Sequence, residues 1–183
     1  MTTDPAAGAA PVTSPAAGLV SSLRERRLTI ATAESLTAGL ISAAIADVPG
    51  ASAVLRGGLS AYATEVKREC LSISAELIER HGVISPECAE AMAYQSRVLF
   101  GADLAISATG VAGPDQQEGQ PVGTVFIAVA TAADLQTSRL DLSGSRRAIR
   151  LGTVEAALSL AHSVVAAMGK AAGGHSSVPS GDG

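Results

Sequence analysis

Residues 28–39 read Leu-Thr-Ile-Ala-Thr-Ala-Glu-Ser-Leu-Thr-Ala-Gly, and this stretch decides the fold. Its first part, Leu28–Thr32, has the apolar and β-branched residues typical of a short strand. Residues 36–46 are small and apolar, which is typical of a helix that packs closely on a sheet, and Pro49-Gly50 ends it. The rapid change from strand to helix predicts an α/β domain, with Ser35 on the sharp turn between the two elements.

The hydroxyl of Ser35 has two interpretations. Serine is among the preferred N-cap residues, so Ser35 can simply begin the helix. Alternatively, its hydroxyl stands above the carboxyl end of a strand, beside N–H groups of a helix start that would stabilise developing negative charge. That second environment suits the nucleophile of an acyl transfer. The local pattern leaves both interpretations open.

Strands and helices alternate along the rest of the chain. Apolar runs predict further strands at 54–63, 102–108, 122–131 and 135–142, and the short connection between the last two predicts a hairpin. Helices are predicted near 65–71, over 75–80, from Ser85-Pro86-Glu87 to Phe100, and over 146–168. This order predicts a three-layer α/β/α sandwich with a mixed sheet in a single domain.

Both ends of the chain differ in composition from its middle. Residues 1–18 and 170–183 are rich in Ala, Gly, Ser and Pro, and they bury too little apolar surface to offset their ordering entropy. They are therefore predicted to be disordered tails around one domain at 19–169. Because no basic segment precedes an apolar one near the start, and charges or Gly interrupt the apolar helices, we expect a cytoplasmic protein without a membrane segment.

Charge and composition exclude several classes of function. The chain of 183 residues carries 13 Lys and Arg against 17 Asp and Glu, a net charge of −4, and only 2% of its residues are aromatic. Nucleic-acid binding needs an excess of cations or stacking rings, so it is not expected. Cys70 and Cys88 have no metal-ligand spacing and are expected to be free thiols, with no metal bound.

Hydrolysis by a serine needs a base, and the histidines do not suit that task, because they occupy a helix end, the last helix and a tail (His81, His162, His175). Lys67 follows the glycine-containing second strand and can return to the same sheet edge as Ser35. A lysine acts as a base only if burial or a neighbouring cation lowers its pKa. Otherwise Lys67 is an ordinary surface residue. Tyr62 either bonds the Ser–Lys pair or the substrate through its hydroxyl, or simply packs.

Two further segments suggest an anion site. The loop Thr109-Gly110-Val111-Ala112-Gly113-Pro114-Asp115 follows a buried strand, and its glycines favour either a close approach to a ligand or a tight structural turn. It matches neither a Walker A loop nor a dinucleotide fingerprint. Arg146, Arg147 and Arg150 lie in the first turns of the last helix, where the dipole disfavours cations unless an anion is bound. They are either phosphate ligands or solvated arginines.

Taken in order, the motifs resemble the C-terminal domain family of the competence/damage-inducible protein CinA over about Leu19 to Gly169. The matching pieces are Ala33-Glu34-Ser35-Leu36-Thr37-Ala38-Gly39, Pro49-Gly50-Ala51-Ser52, Gly57-Gly58-Leu59-Ser60-Ala61-Tyr62, Val66-Lys67, Gly82-Val83-Ile84-Ser85, Ala108-Thr109-Gly110-Val111-Ala112-Gly113-Pro114-Asp115 and Pro121-Val122-Gly123-Thr124-Val125. No single motif is specific, but their common order over a whole domain is.

The resemblance implies an activity, the hydrolysis of nicotinamide mononucleotide to nicotinate mononucleotide and ammonia in pyridine-nucleotide salvage. It implies that Ser35 is the nucleophile and Lys67 the base, with Tyr62 and Thr109 in the site. The nucleotide would be held by the loop residues Gly110, Ala112 and Gly113 and by an arginine of the 146–150 cluster (Arg146, Arg147 or Arg150). The scheme requires no metal and no cofactor.

The chain departs from the family pattern at two places. Many relatives have Cys-Thr-Gly-Gly where this chain has Leu36-Thr37-Ala38-Gly39, and the stretch 116–120 is less glycine-rich than usual. Both changes concern substrate fit. The alternative to the amidase is a non-catalytic nucleotide-binding module of the same family, and a structural or partner-binding domain is a third possibility. A homodimer is also expected.

Overall fold

The computed structural model describes residues 14–171 of the chain. Six α-helices and five β-strands make up the described part. The helices are α1 (Pro15–Arg26), α2 (Leu40–Ala46), α3 (Thr64–Leu71), α4 (Ala75–His81), α5 (Pro86–Phe100) and α6 (Arg146–Ala171). The strands are β1 (Ile30–Glu34), β2 (Leu55–Ser60), β3 (Leu104–Gly110), β4 (Thr124–Thr131) and β5 (Leu135–Asp141).

The five strands form one mixed sheet in the order β2-β1-β3-β4-β5. Strand β1 pairs in parallel with both β2 and β3, whereas β3–β4 and β4–β5 are antiparallel. One apolar core packs α1, α2 and α6 on the first face of the sheet, and a second core packs α3, α4 and α5 on the other. The predicted three-layer α/β/α sandwich in a single domain is confirmed.

Several local predictions are confirmed as well. Ser85 begins α5, with its Oγ accepting a hydrogen bond from the Cys88 amide at 3.1 Å, and Pro86 occupies the first helical turn. Gly101 ends α5 in the left-handed conformation (φ 57°) that glycine adopts without steric cost. Gly58 on β2 lies close to the side chains of Thr32 and Ser42. The hairpin β4–β5 also forms.

Two predicted boundaries are wrong. Helix α1 already begins at Pro15, with Ser14 as its N-cap, so the predicted disordered tail over 1–18 extends too far into the chain. Helix α2 begins at Leu40, not at residue 36, because residues 36–39 form a turn whose last residue, Gly39, has φ 95°. The remaining parts of the predicted tails, at 1–13 and 172–183, lie outside the described residues.

Helix α6 closes the first face of the sheet. In the described part of the chain it is the one helix long and apolar enough, by length and composition alone, to cross a membrane (Arg146–Met168, mean hydropathy 1.4). Its apolar side chains pack against α1 and the sheet, with Ile149, Ala157, Leu158, Ala161 and Val165 buried. These buried residues belong to the core on the first face of the sheet.

The parallel pairing of β1 with both neighbours determines where a site can form. The carboxyl ends of parallel strands meet at one edge of a sheet, and ligands bind outside that edge in open α/β sheets. Here the edge carries Ser35 after β1, the segment Ala61–Ala63 after β2, and the end of β3 at Thr109 and Gly110. The sequence segments that suggested chemistry therefore converge.

Candidate functional site

A lysine and a serine meet at this edge of the sheet. The Nζ of Lys67, from the first turn of α3, lies 3.1 Å from the Oγ of Ser35. Lys67 is 1% exposed, although lysine is rarely buried without a partner. The predicted Ser35–Lys67 pair is thus within hydrogen-bond distance, with Lys67 buried and Ser35 partly exposed.

Burial makes the neutral amine of Lys67 easier to form than that of an exposed lysine. Burial lowers the pKa of Lys67 below its ordinary value of 10.5, and the nearby titratable groups of Cys88, Glu118 and Glu65 oppose that shift. Its Nζ also donates to the backbone carbonyls of Ala61 at 2.8 Å and Tyr62 at 3.2 Å. A neutral amine has two N–H donors, which these carbonyls satisfy, and one lone pair, which is then available to the Ser35 hydroxyl proton.

Both cysteines are free thiols, as predicted, but their exposure differs. Cys70 is exposed on α3, whereas Cys88 is buried near Lys67. Burial raises the pKa of the Cys88 thiol to about 11, against the opposing influence of the Lys67 ammonium. A raised pKa keeps a thiol protonated at neutral pH, so Cys88 contributes packing next to the pair and not a second nucleophile.

A cavity of about 310 Å³ opens above the Ser35–Lys67 pair. Its walls come from the three segments at the sheet edge, the loop after β3 and the start of α6. The candidate residues that line it are Ser35, Tyr62, Lys67, Thr109, Gly110, Ala112, Gly113 and Arg146. The rest of the lining consists of Leu36, Thr64, Val83, Ile84, Val111, Pro114 and the polar loop residues Asp115, Gln116 and Gln117. Most of the predicted site residues are therefore brought together.

Helix α2 does not provide the anion-binding N–H groups that the sequence suggested. The buried carboxylate of Glu34 accepts hydrogen bonds from the amides of Gly39, Ile41 and Ser42, each at 2.9 Å. Ser35 is not the N-cap either, since Gly39 holds that position. The prediction that α2 stabilises an oxyanion beside Ser35 is wrong, because a side-chain anion of the protein already occupies its N-terminus.

Glu34 is therefore expected to be a major determinant of stability. Its side chain is fully buried and also accepts from the hydroxyls of Ser42 and Thr32. We expect Glu34→Ala to lower the free energy of unfolding by about 3 kcal/mol or more, because buried amides lose their acceptor. Urea unfolding followed by circular dichroism measures this, with the exposed Glu155→Ala on α6 as the control. A loss no larger than the control's would contradict the assignment.

The three arginines of α6 have different environments. Arg146 lines the cavity, where it donates to the carbonyl of Gly113 at 2.5 Å and to the hydroxyl of Tyr62 at 2.6 Å. Arg150 donates to the carbonyls of Leu36 and Thr37 and is not part of the lining. Arg147 is exposed and also outside the lining. Of the three arginines, Arg146 is the one that lines the cavity, and phosphate binding by a residue of this cluster remains a prediction.

Tyr62 and Thr109 both line the cavity, and each makes a hydrogen bond within the protein. The ring of Tyr62 is 53% exposed at the cavity mouth, and its hydroxyl bonds Arg146 instead of the Ser–Lys pair. The hydroxyl of buried Thr109 donates to the carbonyl of Val83 at 2.6 Å. Thr109 thereby fixes the cavity wall, and its contact with a substrate remains a prediction.

The histidines stay away from the pair, as predicted for those that are described. His162 bonds the hydroxyl of Ser22 at 3.2 Å, and His81 lies 3.3 Å from the carboxylate of Glu87. His175 lies outside the described residues.

Sequence reasoning missed Glu118. Its carboxylate accepts hydrogen bonds from the amides of Val83 and Ile84 and so joins the loop 114–120 to the opposite cavity wall. A single acidic residue in a loop has no sequence pattern from which this contact could be predicted.

Fold and site together define a class of protein, a three-layer α/β/α domain with a buried Ser–Lys pair at the carboxyl edge of its sheet. The chain belongs to the CinA C-terminal domain family, whose model matches residues 12–165. The similar sequences include a competence-damage inducible protein of Desulforudis audaxviator, 44% identical over 142 residues, and one of Listeria welshimeri, 53% identical over 108 residues. These alignments cover 77% and 59% of this chain.

The chain spans about a third of the length of these relatives, since the alignments cover 34% and 26% of them. Solved structures of the superfamily match more completely. A CinA superfamily protein of Klebsiella pneumoniae superposes with a TM-score of 0.81 at 30% identity, over 84% of this chain and 96% of the other. A competence/damage inducible protein of Agrobacterium tumefaciens gives 0.78 at 29% identity, over 87% and 96%. The fold is therefore shared over nearly the whole of those chains.

Proposed function

We propose that the chain is an amidohydrolase that converts nicotinamide mononucleotide to nicotinate mononucleotide and ammonia through a Ser35 acyl-enzyme. The observation that carries the proposal is the buried Lys67 Nζ, 3.1 Å from the Ser35 Oγ at the floor of a cavity. Serine is a weak nucleophile unless an adjacent base activates it, and a lysine with a lowered pKa supplies that base. The family resemblance points to the same reaction.

The chemistry follows from the positions of the two groups. Ser35 Oγ attacks the carboxamide carbon while its proton passes to the neutral Lys67 Nζ, which gives a tetrahedral oxyanion. Collapse of the oxyanion breaks the C–N bond, and the Lys67 proton leaves with the nitrogen as ammonia. Water then attacks the acyl ester and returns a proton to Ser35 through Lys67, which releases the carboxylate. Every step uses groups of this chain and water, without a redox change.

Nicotinamide mononucleotide suits the cavity in two respects. The cationic pyridinium ring withdraws electrons from the carboxamide, which assists attack by Ser35. Arg146, at the cavity wall, presents a guanidinium of the kind that binds phosphate, and binding energy from a remote phosphate can be used at the reacting carbon. A substrate with one phosphate and one amide at its two ends therefore matches the Arg146 guanidinium and the Ser35–Lys67 pair of the cavity.

The test is ammonia release from nicotinamide mononucleotide by the purified protein, with formation of nicotinate mononucleotide followed by chromatography. The competing possibility is a non-catalytic nucleotide-binding module. Such a module does not require the buried Lys67, whose burial carries a cost in stability that catalysis would explain. Nucleotide binding without ammonia release would favour the module and contradict the amidase.

A further inference from the structure

Arg150 holds the turn that carries Ser35. This residue, half-buried on α6, donates from Nε to the carbonyl of Leu36 and from Nη2 to the carbonyl of Thr37, each at 2.9 Å. A guanidinium presents its donors in a fixed planar fork, so two consecutive carbonyls on one fork leave the turn little freedom. These contacts join α6 to the two residues that immediately follow Ser35.

The orientation of the carbonyls also determines the orientation of N–H groups. In a planar trans peptide the C=O and N–H point in opposite directions. Arg150 therefore fixes the N–H of Thr37 by holding the carbonyl of Leu36. Within residues 14–171, the N–H groups of Leu36 and Thr37 donate to no acceptor, whereas the Ser35 amide donates to the carbonyl of Ala108 and the Ala38 amide to that of Ser35.

The other side of the turn is fixed independently. Glu34 precedes Ser35 and binds the amides at the start of α2, so the segment is held by an acid on one side and by Arg150 on the other. With the α2 amides occupied by Glu34, unpartnered N–H groups remain next to Ser35 in its own turn, at Leu36 and Thr37. An oxyanion formed on the Ser35 Oγ needs such donors.

We propose that Arg150 is a positioning residue for catalysis, which holds the turn that carries Ser35 and orients the Thr37 amide, and that it is not a phosphate ligand. The proposal rests on the amidase function only in assigning Ser35 as the nucleophile. Two of the guanidinium nitrogens of Arg150 already donate to carbonyls of the turn, and Arg150 does not line the cavity. Its neighbour one helical turn earlier, Arg146, does line it.

The experiment measures the reactivity of Ser35 with a fluorophosphonate, a probe without a nucleotide phosphate. Ser35 Oγ attacks phosphorus, fluoride leaves, and the hydroxyl proton passes to Lys67, so labelling needs the nucleophile and its oxyanion donors but no phosphate ligand. We expect Arg150→Met to slow labelling of Ser35, followed by mass spectrometry, by about 30-fold or more, because small misplacements of reacting groups are costly. The exposed Arg80→Met is the control and is expected to label at the wild-type rate.

Turnover gives a second readout. With nicotinamide mononucleotide, Arg150→Met is expected to lower kcat by about the same factor while KM changes less than about threefold. Arg150→Lys keeps the positive charge and one donor nitrogen, so its labelling rate and kcat are expected to lie between those of the wild type and Arg150→Met. It replaces the methionine variant if circular dichroism shows that the methionine variant is not folded. Unchanged labelling with a raised KM would overturn the proposal and make Arg150 a phosphate ligand. If the wild type labels but releases no ammonia, the amidase proposal fails, and the labelling rates still decide the role of Arg150.

Discussion

Ser35→Ala is expected to abolish ammonia release from nicotinamide mononucleotide while nucleotide binding is largely retained. The substitution removes the atom that attacks the carboxamide, and loss of a catalytic serine lowers kcat by about 10⁴ or more. The hydroxyl of Ser35 bonds Lys67 in the structure, whereas Glu34 and Arg150 hold the turn through backbone groups that alanine keeps. Binding should therefore survive, which isothermal titration calorimetry with the nucleotide can measure beside the ammonia assay.

The control for this experiment is Ser163→Ala. Ser163 is exposed on α6, where its hydroxyl bonds the Leu160 carbonyl at 2.7 Å, far along the helix from the cavity. We expect it to release ammonia at the wild-type rate. Turnover by Ser35→Ala at a rate near that of the control would refute the nucleophile assignment. Lost binding in Ser35→Ala would instead show that the hydroxyl shapes the nucleotide site.

The convergence of Ser35, Lys67 and the loop after β3 could be predicted from sequence because it depends on topology. Short strands followed by helices imply parallel pairing, and parallel strands place their carboxyl ends together. Strand β1 lies between β2 and β3, so whatever follows these three strands must meet at one edge. Residue types at those positions then indicated the chemistry. The burial of Lys67 follows from the sequence only as a requirement for a role as base.

The arginine cluster shows what sequence reasoning cannot decide. Arg150 is four residues from Arg146 and three from Arg147, so by the helical period it is a neighbour of both, and the period selects none of the three. The period does not distinguish Arg146 from Arg150, because a guanidinium binds a phosphate and a backbone carbonyl with the same donors. Which acceptor each meets depends on the path of the turn after Ser35, which is a tertiary feature.

Glu34 was missed for a related reason. Its position beside Ser35 on a short apolar strand gives no sign that the carboxylate turns back onto the amides of α2. The interaction requires helix α2 to start five residues after Ser35, and the sequence suggested a start directly after it. Helix boundaries are set by a few capping contacts, and here the cap is a buried acid from the preceding strand.

Lys67→Met is expected to lower kcat by about 10² or more, because the base that accepts the Ser35 proton is removed. Methionine is of similar length and is tolerated in apolar surroundings, although it leaves the carbonyls of Ala61 and Tyr62 without their donor. The matched control is Arg68→Met, the next residue of α3, which is exposed and outside the cavity lining. A kcat for Lys67→Met equal to that of the control would assign the base to another group.

The pH dependence gives the sign that identifies Lys67 as that base. Its pKa lies below 10.5 in the folded protein because of burial, and only the neutral amine accepts the proton. The wild-type kcat should therefore rise with pH through this lowered pKa, and Lys67→Met should lose that rise.

The stability of the wild type should also rise with pH. The folded state disfavours the Lys67 ammonium, so its burial destabilises the protein fully below the folded pKa, and this destabilisation decreases as the pH approaches 10.5. The stability of Lys67→Met relative to the wild type, measured as the difference in their free energies of unfolding, should thus be higher at low pH than at high pH. A difference that does not change with pH would contradict a buried, titrating Lys67.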